Sequence, residues 1–295
     1  MVRIVLKVSD TNQFTYDVPS ETLNNSVVLA LVQLYNLRLR MDSLCVAIED
    51  LATKGPQKPE ELRGLNNYEQ YGDDLTVQGG LKKMPPKVGT RYKEDSTHHR
   101  TGWLLDEQIT ETMLKHIGES KKLLHKDEIN KKEAHTAAEY IDQINMLKGV
   151  IMIAYPAFHG LGEWEPARVL IEAKMDSDKG YYIQELHDAL KHEETSVWWA
   201  GKELAKDKPL FTFSGKNNNT KIVCRFQKVG AGAPVREPLI DEDTHKKMLA
   251  YYYKKTEESK KLEQDSDDQY LNAPWANSKN LKNDLYGIKD IKWKH

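Results

Sequence analysis

The chain opens on strict alternation. Val2, Ile4, Leu6 and Val8 alternate with Arg3, Lys7 and Ser9, and Phe14, Tyr16 and Val18 alternate with Thr15 and Asp17. Period-two patterning on both sides of the turn run Asp10-Thr11-Asn12 predicts a β-hairpin. Pro19 stops the second strand, and Ser20 stands where it would cap a helix beginning at Glu21. Leu23, Val27, Leu31, Leu34 and Tyr35 then share one helical face. After Asn36 a second period runs through Met41, Leu44, Cys45, Ile48 and Leu51, until Gly55-Pro56 ends it.

The opening unit, residues 1–54, is thus ββα(α). A helix laid across a hairpin resembles the start of a β-grasp (ubiquitin-like) fold, and a generic α+β opening reads the same way. Residues 55–103 are rich in Pro and Gly with little periodicity, which predicts a long loop and the least ordered internal segment. Leu105, Ile109, Met113 and Ile117 begin a helical segment over 104–148, broken near His125 to Lys132. Its Lys/Glu content reads as a solvated face. Gly149 to Pro156 is short, apolar and β-branched, and it predicts a buried strand; Val169, Ile171 and Ala173 predict a second. Leu186, Leu190, Val197, Gly201 and Leu204 fit a helix over 183–205, and Thr220 to Lys228 fits another strand. Residues 149–229 therefore read as a second ββαβ unit, with the edge of the 220–228 strand a candidate acceptor for a partner strand. Residues 230–263 hold a Gly/Pro linker and a helix with Met248, Leu249, Tyr252 and Tyr253 on its apolar side. Acids at 241–243 suit the start of that helix. The last segment, 264–295, carries Tyr270, Leu271, Trp275, Tyr286 and Trp293. That is too aromatic for a plain flexible tail, so it is expected to dock on its own domain or on a partner. The fold class is α+β.

Composition narrows the function. The 295 residues carry 43 basic and 45 acidic side chains, a net charge of −2. That removes the global basic footprint of a dedicated nucleic-acid binder. Two cysteines cannot build a disulfide framework or a thiolate zinc site; both sit on apolar faces and read as packed core thiols. The longest apolar run is too short to cross a bilayer, and the alternating N-terminus is no signal peptide. A soluble protein of a reducing compartment is expected.

Catalytic patterns fail one by one. Gly230-Ala231-Gly232 follows a strand, but Val235 stands where a dinucleotide loop needs its third glycine, and Pro234 blocks a simple helix start. Leu210 replaces the first glycine a phosphate loop would need before Gly215-Lys216. His192-Glu193-Glu194 lacks the second histidine of a zinc-protease helix, and His187 and His192 are five apart. No cofactor and no metal site is expected. Tyr251-Tyr252-Tyr253-Lys254-Lys255 would stack on single-stranded nucleic acid only if its rings shared a face, and on a helix they do not. Trp198-Trp199 straddles two faces: one ring is expected in the core, the other under a neighbouring segment or at a partner interface.

Several longer strings carry more information: GVIMIAYP at 149–156, WWAGKEL at 198–204, TKI at 220–222, GAGAPVREP at 230–238, YLNAPWA at 270–276 and GIKDIKW at 287–293. In this order and spacing they resemble the Kurly family of cilia- and flagella-associated proteins, strongly from about residue 145 onward; residues 55–135 diverge. The resemblance implies a non-enzymatic role in motile cilia, through cytoplasmic assembly of axonemal dynein arms. The partners implied are dynein subunits or their chaperones, with doublet-microtubule proteins if the chain is instead a structural part of the axoneme. It implies residence in cytoplasm and motile cilium, at axoneme or basal body. Tyr270, Leu271, Trp275, Tyr286, Trp293, Trp198 and Trp199 are the candidate docking residues. Nucleic acid and membrane insertion are not expected.

Overall fold

The computed structural model describes residues 1–9, 12–64, 87–125, 134–176, 178, 180–215, 217, 219–235, 242–264, 279 and 286. Two compact units divide the chain, Met1–Pro234 and Val235–His295.

The first unit starts as its alternation predicts. β1 (Val2–Lys7) and β2 (Gln13–Val18) pair antiparallel, Leu6 opposite Phe14 and Arg3 opposite Asp17. The last pair is also a 2.6 Å ion pair across the ladder. The helix that follows, α1 (Asn24–Lys54), differs from expectation at two points. Its N-cap is Leu23, not Ser20, and no side chain caps it. The Asn24 and Asn25 amides instead donate to the carbonyls of Lys208 and Lys206, at 3.0 and 3.1 Å, so a distant segment does the work of a cap. Nor does the helix break after Asn36. It runs unbroken for 31 residues to Gly55, whose φ of +78° ends it.

β3 (Arg91–Tyr92) and β4 (Trp103–Leu104) form a minimal antiparallel ladder inside the expected loop, and a 3-10 turn spans Glu60–Leu62. Residues 65–86 lie outside the described set. α2 (Glu107–Leu124) and α3 (Ala137–Ala154) occupy the helical segment. Thr136 caps α3, accepting the Glu139 amide at 3.4 Å.

Three elements over 149–205 correct the sequence reading. Gly149 to Pro156 is not a strand: residues 149–154 are the end of α3. Ile144, Leu147, Ile151 and Ala154 are buried at helical spacing, and a short apolar run cannot tell the two periods apart by itself. Val169, Ile171 and Ala173 are not a strand either. Pro166 starts a helix, α4 (Pro166–Glu172), as its fixed φ allows at the first position, and Ala173 caps the end. The helix expected over 183–205 is absent. Irregular chain leads to β5 (Thr195–Trp199) and β6 (Lys202–Glu203), joined by a two-residue turn. Val197, Trp198 and Trp199 have the bulk and branching that suit a pleated surface. A short helix, α5 (Phe211–Ser214), precedes β7 (Lys221–Lys228).

β7 sits centrally. The sheet order is β2-β1-β7-β5-β6, with β7 parallel to β1 and antiparallel to β5. β1 pairs with residues 221–224 and β5 with residues 224–228, so β7 is an inner strand and not the free edge that partner-strand addition needs. The inner face carries the row Phe14, Leu6, Cys224, Trp199, set by the registers Leu6–Phe14, Leu6–Cys224 and Cys224–Trp199. The second unit holds α6 (Glu242–Gln264), close to the span expected.

α1 packs against α2, α3 and α4 and shares one apolar core with the inner sheet face. Surrounded in this way, it buries polar residues that need partners. The Asn36 side-chain amide donates to the Gly180 and Leu190 carbonyls, at 2.7 and 2.8 Å, and its oxygen accepts the Leu190 amide at 2.9 Å. Arg38 donates to the Tyr140 hydroxyl and to the carbonyl of Leu124, the last residue of α2. Arg40 donates to the Leu170 carbonyl in the last turn of α4, at 2.6 Å. Two cations thus sit on two helix C-termini, where the dipole favours them.

Replacing Asn36 by Ala would orphan the carbonyls and amide that hold 180–190. We expect a loss of about 2–3 kcal/mol in urea unfolding, with proteolysis of the intact fold shifting to cuts within 180–190. Unchanged stability would show that this loop does not depend on Asn36.

Candidate interaction surface

No group of three His, Cys, Asp or Glu side chains able to hold a metal ion occurs among the described residues, and no helix among them is long and apolar enough to cross a membrane. Both cysteines are buried, as expected of core thiols. Burial pushes the Cys45 thiol up to about 11 and the Cys224 thiol up to about 12, so neither is a thiolate nucleophile near neutral pH.

One buried charge pair escaped the sequence reading. Glu165, fully buried, receives the Arg100 guanidinium at 3.2 Å and the Gln57 amide at 2.7 Å. Arg100 also donates to the Gly55 carbonyl at 2.8 Å, and the Trp164 indole N–H donates to the Gln57 carbonyl at 2.9 Å. Burial pushes the Glu165 carboxyl above its ordinary range, against the opposing pull of Arg100 and the Gln57 amide. The nearby Tyr155 hydroxyl is also pushed up, first by burial and then by Glu165. Glu165, Arg100 and the Trp164 indole are turned toward backbone or toward one another, and Arg100 also stands 4.0 Å from Asp50 of α1. It is a clamp tying residues 55–58 and 100 to the turn before α4. Asp95 stiffens the same loop. Burial would raise its carboxyl, but the Thr97 hydroxyl and the Arg100 and Thr97 amides outweigh that and hold it at about 2.

The surface chemistry lies elsewhere. In β5, consecutive side chains face opposite sides of the sheet. Trp199 turns inward and packs against the core; Trp198 turns outward, half-buried, opposite Arg225. One ring thus enters the core, as expected, though through strand alternation and not a helix face. The Trp198 indole N–H donates to the Ser196 hydroxyl at 3.1 Å, and that hydroxyl donates to the Gln227 carbonyl at 3.1 Å. On the same outer face lies Val223, 53% exposed. Ala200 and Gly201 make the turn with φ of 49° and 77°, the left-handed pair that a tight hairpin selects.

The second concentration of exposed apolar side chains is α6. Met248, Leu249, Tyr251, Tyr252, Tyr253 and Leu262 are 40–74% exposed. Of the expected tail residues, Tyr286 is strongly exposed, and Tyr270, Leu271, Trp275 and Trp293 lie outside the described residues.

Comparison with known proteins converges on one group. A family described as cilia- and flagella-associated protein 298 matches residues 195–291, the stretch that includes β5, β6, β7 and α6. Cilia- and flagella-associated protein 298-A of Xenopus laevis is 34% identical over 294 residues, covering 100% of this chain and 99% of its own. Cilia- and flagella-associated protein 298 of Homo sapiens gives the same identity and coverage. The Drosophila melanogaster protein of that name is 27% identical over 295 residues, again with 100% and 99% covered. No solved structure matches.

Two outcomes test the geometry. Arg100→Met should cost about 3–5 kcal/mol, because it strands a buried carboxylate, and Glu165→Gln with Arg100→Met should recover part of that loss. A double variant no better than the single one would show that the clamp is not a pair. Ala200→Asn should raise stability by about 0.5–1 kcal/mol, since Asn tolerates the left-handed position better; calorimetry would register the change.

Proposed function

The chain belongs to the cilia- and flagella-associated protein 298 family, and we propose that it is a non-enzymatic component of ciliary motility. In this reading it acts in the cytoplasm, in the assembly of axonemal dynein arms. It binds dynein subunits or their assembly chaperones through protein–protein contacts. Full-length similarity to relatives named for cilia and flagella supports the ciliary setting. The observation that carries a binding role is α6, which displays six large apolar side chains to solvent. Exposed apolar groups gathered on one element mark contact surfaces. Trp198 and Val223 on the outer sheet face are a second contact region, and Trp and Tyr are the residues that most often dominate such contacts.

The β-grasp reading of the opening also stays a proposal. Its support is the hairpin crossed by α1 and the parallel pairing of β1 with β7. Folds of this kind serve many functions, so the site and not the fold has to carry the argument.

Fractionation of motile cells into cytosol, detergent-soluble cilia and salt-washed axonemes tests the cytoplasmic role. The protein should be recovered mainly in cytosol, where co-purifying dynein subunits or chaperones identify its clients. Retention on salt-washed axonemes would overturn the assembly role in favour of a structural part of the axoneme.

A further inference from the structure

Three residues far apart in sequence close a circuit of hydrogen bonds at the start of α1. The His192 imidazole Nε2 meets Asn25 Oδ1 at 2.9 Å, the Asn25 amide donates to the Lys206 carbonyl at 3.1 Å, and Lys206 Nζ donates back to the His192 carbonyl at 3.1 Å. The circuit joins the first turn of α1, the approach to β5 and the exit from β6. α1 has no side-chain cap, so its start depends on the Lys206 and Lys208 carbonyls that this circuit helps to hold in place.

An amide oxygen only accepts, so His192 Nε2 carries the proton of that contact and Nδ1 is the bare nitrogen of a neutral ring. Nδ1 is buried and has no hydrogen-bond partner among the described residues. A proton placed there would become a buried donor without an acceptor, which is costly. Its charge would be opposed as well. Lys206 brings an ammonium group, and the first turn of α1 is the positive end of a 31-residue helix and holds no acid. Glu193 acts the other way, but it is exposed. Lys191 and Glu194 are paired with each other at 3.0 Å. Burial first, and Lys206 next, hold the imidazole below its ordinary pKa, against the pull of Glu193.

We propose that the Asn25–His192–Lys206 circuit is a proton-sensitive latch, closed while the imidazole is neutral and opened when Nδ1 takes a proton, which frees the start of α1 from the chain around β5 and β6. Histidine is the side chain whose charge changes nearest neutral pH, so modest acidification is enough to work it. Once open, the imidazole is solvated and takes a proton more readily than in the closed form. The latch is therefore at full strength above about pH 6.5 and weakens as the pH falls below that, until the pH reaches the depressed value of the closed form. This device belongs to the first unit and stands whether or not the ciliary assembly role does.

Hydrogen exchange on the full chain at about pH 7.5 and about pH 5.5, corrected for the intrinsic pH dependence of exchange, reads the latch. Protection of the Asn24 and Asn25 amides should fall by about three- to tenfold at the lower pH, tenfold being the ceiling for an open imidazole that titrates near 6.5. The β1–β7 ladder should keep its protection. His192→Gln retains a side-chain donor and takes no proton, so its protection should be the same at both pH values. The His192 titration midpoint, followed by NMR in the unaltered chain, should lie below about 6.5, and Lys206→Gln, which removes the ammonium charge, should move it up. Equal protection at the two pH values in the unaltered chain, an equal loss across the β1–β7 ladder, a His192→Gln variant as pH-sensitive as the unaltered chain, a midpoint at or above about 6.5, or a midpoint indifferent to Lys206→Gln would each overturn the proposal.

Discussion

The first unit depends on how one helix satisfies its buried polar groups. α1 lies between the sheet and three other helices, so the polar side chains in its middle, Asn36, Arg38 and Arg40, lose water. Asn36, Arg38 and Arg40 lie within five residues of one another and are all nearly inaccessible. Each bonds to backbone that has no regular partner: the irregular 180–190 segment, the end of α2 and the end of α4. An unmade bond at any of these would cost about 1–3 kcal/mol, so the three contacts fix where the elements sit along α1. Gly180 shows how tight that fit is. Its φ is +78°, and a Cβ there would come within 2.9 Å of the Val32 side chain.

The sheet adds a second constraint. β7 enters between β1 and β5, so the first strand of the chain pairs with one more than two hundred residues later, Ile4 with Ile222. Contacts so distant in sequence form late, because chain entropy opposes them until other packing has shortened the loop. The α1 contacts supply that shortening: Asn24 and Asn25 hold residues 205–208, and Asn36 holds the segment before β5. The Arg100–Glu165 clamp does the same at the other end of α1, binding the Gly55 turn to the approach to α4.

Much of this was legible where pattern and environment agree. The alternation of Val2 to Val18 and of Thr220 to Lys228 gave strands because each has one buried and one less buried face. Gly55 marked a helix end because only glycine is easy at that φ. The reading failed where tertiary context decides. Asn36, Arg38 and Arg40 look like a break in periodicity because their partners are backbone groups far along the chain. Gly149 to Pro156 looks like a strand because a fully packed helix end and a buried strand share a composition. Leu186 to Leu204 fits a helical period by spacing alone, yet Ala200-Gly201 is a turn, and the dipeptide's left-handed geometry is visible only with β5 and β6 beside it. One ring of Trp198-Trp199 was expected in the core, and strand alternation, not a helix face, is what turns Trp199 there. The Arg100–Glu165 pair carried no local signal, since its members are 65 residues apart.

The same balance of exposed and satisfied groups locates the contacts this protein offers. In the first unit, Asn36, Arg38 and Arg40 are turned inward to the backbone and the Arg100–Glu165 pair is clamped, while Trp198 and Val223 stand on the outer sheet face. In the second, α6 keeps no described side chain buried. A helix that exposes tyrosines and methionine along a lysine- and glutamate-edged face is incomplete as a folding unit.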